Sequence, residues 1–218
     1  MLNHAAARTT MVDSQLRTNK VTDAAILEAY ETTPRERFLP EGRAGIAYVD
    51  EDLPVAPGRF LMEPMVQARL LQAAGIGPSD VVLDVGCATG YSSAILSRLA
   101  GTVVALESDE GLAAQANQAL QDLGIDNAVV VQGDLTQGYP KQGPYNVILL
   151  GGAVAEIPPV ILDQLAEGGR LVAVVRPQPH LGQAVLVGKN AEMTSRRVLF
   201  DAATPLLTGF AAAPRFVF

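Results

Sequence analysis

Very little in this sequence is equipped for covalent or metal chemistry. There is one cysteine, Cys87, and there are two histidines, His4 and His180, in 218 residues. A single thiol excludes an intrachain disulfide and fits a reducing compartment, so a cytoplasmic location is expected. One Cys and two distant His make no zinc spacing, and no metal site is expected. They are also a poor start for a Ser-His-Asp or Cys-His hydrolase, and His180, in the stretch RPQPHLGQ, reads as an exposed loop residue. Basic charge is short as well. Sixteen Lys and Arg face 23 Asp and Glu, a formal net charge of −7. Nucleic-acid binders usually carry a basic excess or stripe, so no nucleic-acid partner is expected. No apolar run approaches the roughly 20 residues of a membrane span. The stretch MLNHAAARTTMVDSQLRTNK lacks the apolar centre of a signal peptide, and no membrane partner is expected.

What the chain has instead is apolar material, 49 % of its residues, at a length suited to one α/β domain. We read 1–218 as a single domain, with an N-terminal arm over 1–75 and a core over 80–218. Residues 1 to about 20 are polar and small, and the first ten are expected to be disordered. Thr22-Asp23 marks a helix start that Pro34 ends. Residues 34–64 are rich in Pro, Gly and charge and too long for an ordinary loop, so they are expected to be functional or packed as an arm. A helix follows from about Pro64 to Ala74, with Val66, Leu70 and Leu71 inward.

From Asp80 the pattern alternates between strands and helices. VVLDV (81–85), TVVALE (102–107), AVVVQGD (128–134), YNVILLGG (145–152) and RLVAVV (170–175) read as strands. Segments 91–100, 110–124 and 157–169 read as helices. The strands are near-continuous β-branched runs, as in a parallel sheet buried on both faces. The alternation predicts a doubly wound, Rossmann-like sheet. AVLVGKN and SRRVLF predict a C-terminal antiparallel hairpin, and RFVF is a last apolar segment.

The first strand-to-helix turn carries the chemistry. Gly86 and Gly90 bracket Cys87, Ala88 and Thr89, and glycine lets a ligand approach the backbone closely. The spacing is G-x-x-x-G rather than the G-x-G-x-x-G of dinucleotide sites, which argues against a nicotinamide cofactor. Asp84 ends the strand where an acid can meet an ammonium group. Glu107 ends the next strand, where an acid can accept from two ribose hydroxyls. Gly133, Asp134 and Leu135 follow the third strand, where an adenine amino group could be met. Convergence on the carboxyl ends of successive strands is where ligands bind in open α/β sheets. S-adenosylmethionine, with its ammonium, ribose and adenine, is therefore the expected donor, with S-adenosylhomocysteine as product, held by Asp84, Gly86, Cys87, Ala88, Gly90, Tyr91, Glu107, Ser108, Gly133, Asp134 and Leu135. Each residue alone has a plainer reading: Glu107 as a solvated strand end, Asp134 as a turn cap, Cys87 as a small side chain in a tight loop.

On VLDVGCATGYSSAIL, VVALE, VVVQGDLTQG and YNVILLGGAVAEIPPVILDQLAEGGRLVAVV the sequence resembles the protein-L-isoaspartate (D-aspartate) O-methyltransferase family. PRERFLP (34–40), AYVDEDLPV (47–55) and GRFLMEPMVQARLL (58–71) are similar to that family's substrate-side segments in order and spacing. The resemblance covers nearly the whole chain. It implies a class I methyltransferase core, carboxyl methylation of isoaspartyl residues in damaged proteins, and a protein-repair role. The family pattern is roughly G-Q-T-I-S-Q-P, with hydroxyls holding the substrate carboxylate. Here Arg59 takes the first Gln position, Phe60 the Thr, Met62 the Ser and Glu63 the last Gln. Where Leu135 stands, the family usually has glycine. By that alignment Arg59, Met62 and Glu63 are the candidate acceptor-side catalytic positions, with Arg59 either a carboxylate clamp or a solvated surface charge. Two further readings stay open: a methyltransferase with another acceptor, for which Glu63 is base or cation attractor, and a donor-binding protein without catalysis.

Overall fold

A computed structural model describes residues 3–178, 181–191 and 193–212. His180 and the terminal RFVF lie outside the described residues. Helix α1 is His4–Met11 and continues through single turns over Val12–Leu16 and Arg17–Asn19. The expected disorder of the first ten residues is thus corrected from residue 4 on. Polar composition hid three anchors, Met11, Val12 and Leu16, which are fully buried and fix the helix on the core. Helix α2, Ala24–Thr32, begins where expected, with the Asp23 side chain accepting from the Ala25 and Ile26 amides.

Residues 34–64 are packed as an arm, and the arm holds a hairpin that composition does not announce. Strands β1 (Leu53–Ala56) and β2 (Arg59–Leu61) pair antiparallel around the Pro57-Gly58 turn. This two-stranded sheet is separate from the main one. Helix α3 spans Pro64–Ala74 as expected, opened by Pro64 and closed by Gly75 in the left-handed region.

The core runs β3 (Val81–Val85), α4 (Tyr91–Leu96), β4 (Thr102–Glu107), α5 (Glu110–Asp122), β5 (Ala128–Gln132), β6 (Tyr145–Val154), α6 (Pro159–Leu162), β7 (Leu165–Gln178), β8 (Leu181–Asn190) and β9 (Met193–Asp201). The seven strands lie in the order β5-β4-β3-β6-β7-β8-β9. The first five are parallel, and β8 and β9 are antiparallel. This is the expected mixed sheet with its C-terminal hairpin.

Two helix boundaries are corrected. The helix expected over 157–169 shrinks to the single turn of α6, because Leu165 already pairs with Tyr145 and β7 bulges before Arg170 resumes the ladder. Gly168 takes a φ of +72° within that bulge, so the glycine pair serves an irregular strand rather than a helix end. Helix α4 also ends early, at Leu96. One face of the sheet packs on α3, α4 and the arm through residues such as Leu70, Leu71, Ile95 and Val147. The other packs Leu83, Ile148 and Leu171 with the C-terminal Leu207 and Phe210. The chain reverses its direction of growth between β3 and β6, so the crevice beyond their carboxyl ends is the switch point of the sheet. No helix among the described residues is long and apolar enough to cross a membrane.

Candidate functional site

Asp84 and Glu107 sit at the carboxyl ends of neighbouring strands, and both are completely buried. Their surroundings differ. Asp84 Oδ2 accepts from Ser92 Oγ and Ser93 Oγ, each at 2.6 Å. Asp84 Oδ1 is buried and has no hydrogen-bond partner. Burial lifts the Asp84 carboxyl to about 6, opposed by the two serine bonds and reinforced by the Glu107 carboxylate.

Glu107 is saturated. Arg59 Nη1 donates to Oε1 and Arg59 Nη2 to Oε2, both at 2.6 Å. The Ala88 amide donates to Oε2 at 2.8 Å, and the Ser108 and Asp109 amides to Oε1 at 2.8 and 3.0 Å. Arg59 is itself 5 % exposed. The fork-to-fork geometry is the strong, directional form of an ion pair.

The loop between β3 and α4 is shaped by its own backbone. The Gly86 and Cys87 amides donate to Leu106 O, and the Gly90 amide to Cys87 O. Gly86 has a φ of +82° and Gly90 of +94°, a region open to glycine but costly for other residues. A Cβ on Gly86 would lie 2.7 Å from Leu207 Cδ1 and 3.3 Å from Arg59 Nη2. Cys87 is buried, and burial raises its thiol well above the usual range, so it is a packed side chain and not a nucleophile. Tyr91 is buried under the Arg35 guanidinium, whose centre lies 4.7 Å from the ring.

The third element follows β5, next to Glu107. Asp134 is exposed, and its Oδ1 accepts from the Thr136 amide and hydroxyl. It caps a turn in this structure. Leu135 is buried, and the Gly133 amide donates to Glu107 O. Ser108 is exposed and reaches Glu107.

On the arm, Arg59 points to Glu107, not outward as a clamp for an acceptor. Phe60 is part-buried, and Met62 is buried with its carbonyl accepting from Arg35 Nη2 at 3.0 Å. The Glu63 amide donates to Asp52 Oδ1 at 2.9 Å. Partial burial, then Asp50, Asp52 and Glu51, push the Glu63 carboxyl up to about 7. The structure thus joins Arg59 with Glu107 and Gly86. Met62 lines a small cavity with Gly86, Cys87 and Ser92, while Glu63 is tied through its amide to Asp52.

Four residues missed by sequence reasoning complete the site. Ser92 and Ser93 stood within the loop motif but lacked a visible partner. Arg35 stood in PRERFLP, yet nothing local showed that it would be wholly buried between Met62 and Tyr91. Leu207 had no sequence signal. It reaches the crevice because the Leu207 amide donates to Ala153 O at 2.7 Å and the Ala153 amide to Pro205 O at 2.9 Å. Among the described residues, no three His, Cys, Asp or Glu are grouped to hold a metal.

The ligand test divides. Asp84 Oδ1 is an orphaned acceptor suited to an ammonium group, and Glu107 between loop amides is suited to a diol. These residues fit an S-adenosyl amino acid in kind. The room in front of Gly86 is taken, however, by Leu207 and Arg59, and the cavity that Gly86 lines with Cys87, Ser92, Phe60 and Met62 holds about 10 Å³, space for one water.

Comparison with known proteins bears on the whole chain. The family model described as Protein-L-isoaspartate(D-aspartate) O-methyltransferase matches residues 7–201. A Protein-L-isoaspartate O-methyltransferase of Koribacter versatilis is 41 % identical over 197 residues, 90 % of this chain and 88 % of that protein. One from Synechococcus sp. is 42 % identical over 175 residues, 80 % of this chain and 72 % of its own length. A solved protein-L-isoaspartate O-methyltransferase structure matches with a TM-score of 0.82 at 26 % identity, covering 94 % of this chain and 67 % of its own. A Plasmodium falciparum structure, described as a beta-aspartate methyltransferase in complex with S-adenosyl-L-homocysteine, shares the fold with a TM-score of 0.78 at 19 % identity, covering 92 % and 98 %.

Proposed function

The chain belongs to the protein-L-isoaspartate(D-aspartate) O-methyltransferase family, and from that premise we propose that it transfers a methyl group from S-adenosylmethionine to the side carboxylate of isoaspartyl residues in damaged proteins. The observation that carries the reading is the pair of fully buried carboxylates, Asp84 and Glu107, on either side of the Gly86 loop at the switch point of the sheet. Arm and core act together in this reading as a single domain, and its single buried thiol is compatible with a cytoplasmic location.

When bound, S-adenosylmethionine supplies a methyl group on a sulfonium, which an ionised carboxylate attacks without a base. The protein's part is alignment and exclusion of water. Asp84 Oδ1 would take the donor's ammonium, and Glu107 its ribose hydroxyls. Phe60 and Met62 would wall the acceptor side from water in place of the family's hydroxyls. Glu63 titrates near neutrality, so its protonated form can donate to an acceptor carboxylate, whereas its ionised form repels one.

Labelled donor incubated with an isoaspartyl peptide and its aspartyl counterpart tests the reading. Base-labile label on the isoaspartyl peptide alone is expected. Incorporation no greater than a heat-killed control would overturn it. The carboxylates of Asp50, Glu51 and Asp52 around Glu63 favour one second reading, a cationic or amine acceptor. Label on such an acceptor, lost in Glu63→Gln, would establish it instead.

A further inference from the structure

Glu107 has about four lone-pair positions to offer, and five N–H donors already fill them within 3.0 Å. Three are amides of the loop and of the turn after β4. They move only if the backbone does. The other two belong to one side chain, Arg59. That side chain stands on the β1–β2 hairpin, which makes no strand pairing with the main sheet. A ribose diol therefore reaches Glu107 by displacing Arg59.

The amino-acid end of the crevice is closed in the same way from another part of the chain. Leu207 packs on Gly86 at the distance where a Cβ would clash. Thr208 Oγ1 also donates to Gly58 O at 3.4 Å, so the residue after the plug touches the turn before Arg59. Two closing elements, one from each end of the sequence, are in contact with each other. The cavity left against Gly86, Cys87 and Ser92 is about 10 Å³, compared with roughly 300 Å³ or more in ordinary small-molecule sites. Asp84 Oδ1 meanwhile stays buried without a partner. A crevice rebuilt as plain core would not leave a carboxylate oxygen unpaired beside a saturated one.

We propose that Arg59 is a built-in competitor for the donor's ribose subsite: paired with Glu107 and backed by Leu207 on Gly86, it holds the crevice shut, and the donor enters only when the guanidinium withdraws. The proposal rests on the donor reading above. It makes Arg59 a latch on donor access, neither a catalytic group nor an acceptor clamp. Apparent affinity is then the intrinsic affinity scaled by the fraction of molecules whose latch is open.

Calorimetric titration with S-adenosylhomocysteine tests this without acceptor or turnover. The proteins are wild type, Arg59→Gln, Arg59→Lys and Leu207→Ala, each checked for native circular dichroism. Arg59→Gln should bind about 10- to 100-fold more tightly than wild type, as expected if the closed form holds roughly 90 to 99 % of the population. Arg59→Lys should fall between, since an ammonium cannot span both carboxylate oxygens. Leu207→Ala should also bind more tightly. Unliganded Arg59→Gln should melt below wild type, yet gain more from the ligand. A merely structural ion pair would lower the melting temperature with no gain in affinity. Equal binding by folded wild type and Arg59→Gln would overturn the latch and leave the donor reading intact. No binding by any of the four would overturn both. A negative methyl-transfer assay with this binding pattern present would remove only the isoaspartyl acceptor.

Discussion

Replacing Asp84 by asparagine should make the protein more stable at neutral pH and worse at holding its donor. Asp84 is fully buried, and burial raises its carboxyl from 3.8 to about 6. A raised acid binds its proton more tightly when folded than when unfolded. Its favourable contribution is complete only well below the unfolded value of 3.8 and is lost as pH rises through 6. At roughly 1.4 kcal/mol per pH unit, the loss comes to about 3 kcal/mol. Asparagine has no charge to bury, and its carbonyl can still accept from Ser92 and Ser93. Its amide brings a buried donor, but that offset is the same at every pH. The quantity to measure is therefore the difference in unfolding free energy between Asp84→Asn and wild type, by urea titration from pH 4 to pH 7.5. The difference should shift over that range by about 2.5 kcal/mol in favour of the variant, or about 5–10 °C in melting temperature for a chain of this length. The same variant should bind S-adenosylhomocysteine more weakly, having lost the acceptor for its ammonium. A difference that stays flat with pH would refute the assignment of a raised, buried carboxylate at Asp84.

Three other expectations follow from the same geometry. Gly86→Ala should cost about 1–2 kcal/mol for the left-handed backbone alone, and its methyl would meet Leu207 and Arg59, so urea unfolding should show a lower midpoint and calorimetry a loss of ligand. Tyr30→Phe removes the hydroxyl that donates to Gln67 Oε1 at 2.8 Å; stranding that buried acceptor should destabilise the fold by about 1–3 kcal/mol, and an unchanged unfolding midpoint would count against the bond. With Glu63 near 7, KM for an isoaspartyl peptide should rise between pH 6 and pH 8 as the carboxyl ionises, and Glu63→Gln should flatten that profile.

The parallel strands were legible because burial on both faces demands continuous apolar runs, and β3, β4 and β6 are written that way. Helix α6 was over-read because Leu165 to Gly169 carries a helix-end composition, while the pairing of Leu165 with Tyr145 depends on residues 20 positions away. Helix α1 was under-read because its three buried anchors sit among polar neighbours. In the site, Asp84 and Glu107 were found from strand-end position alone. Asp134 stands after the third strand where the same logic puts it, and its Oδ1 also caps its own turn. What each carboxylate touches was out of reach. The partner of Glu107 comes from 48 residues earlier, and the side chain facing Gly86 comes from 121 residues later. No local pattern encodes contacts made by two loops meeting over a crevice.

The packing of the arm on the loop also sets an order of events during folding. Thr89 Oγ1 donates to Phe38 O across 51 residues, and Arg35 lies over Tyr91 while holding Met62 O. Contacts of such separation form only after a long stretch of chain has been closed. The β3-β4-β5 units can assemble from neighbouring pieces, but the pairing of β3 with β6 spans 65 residues and the conformation of the glycine turn is completed by residues that precede the core. The loop is therefore expected to mature late, when the arm docks. A protease nick near Gly42 in an early folding intermediate would leave the sheet intact and the turn unfinished.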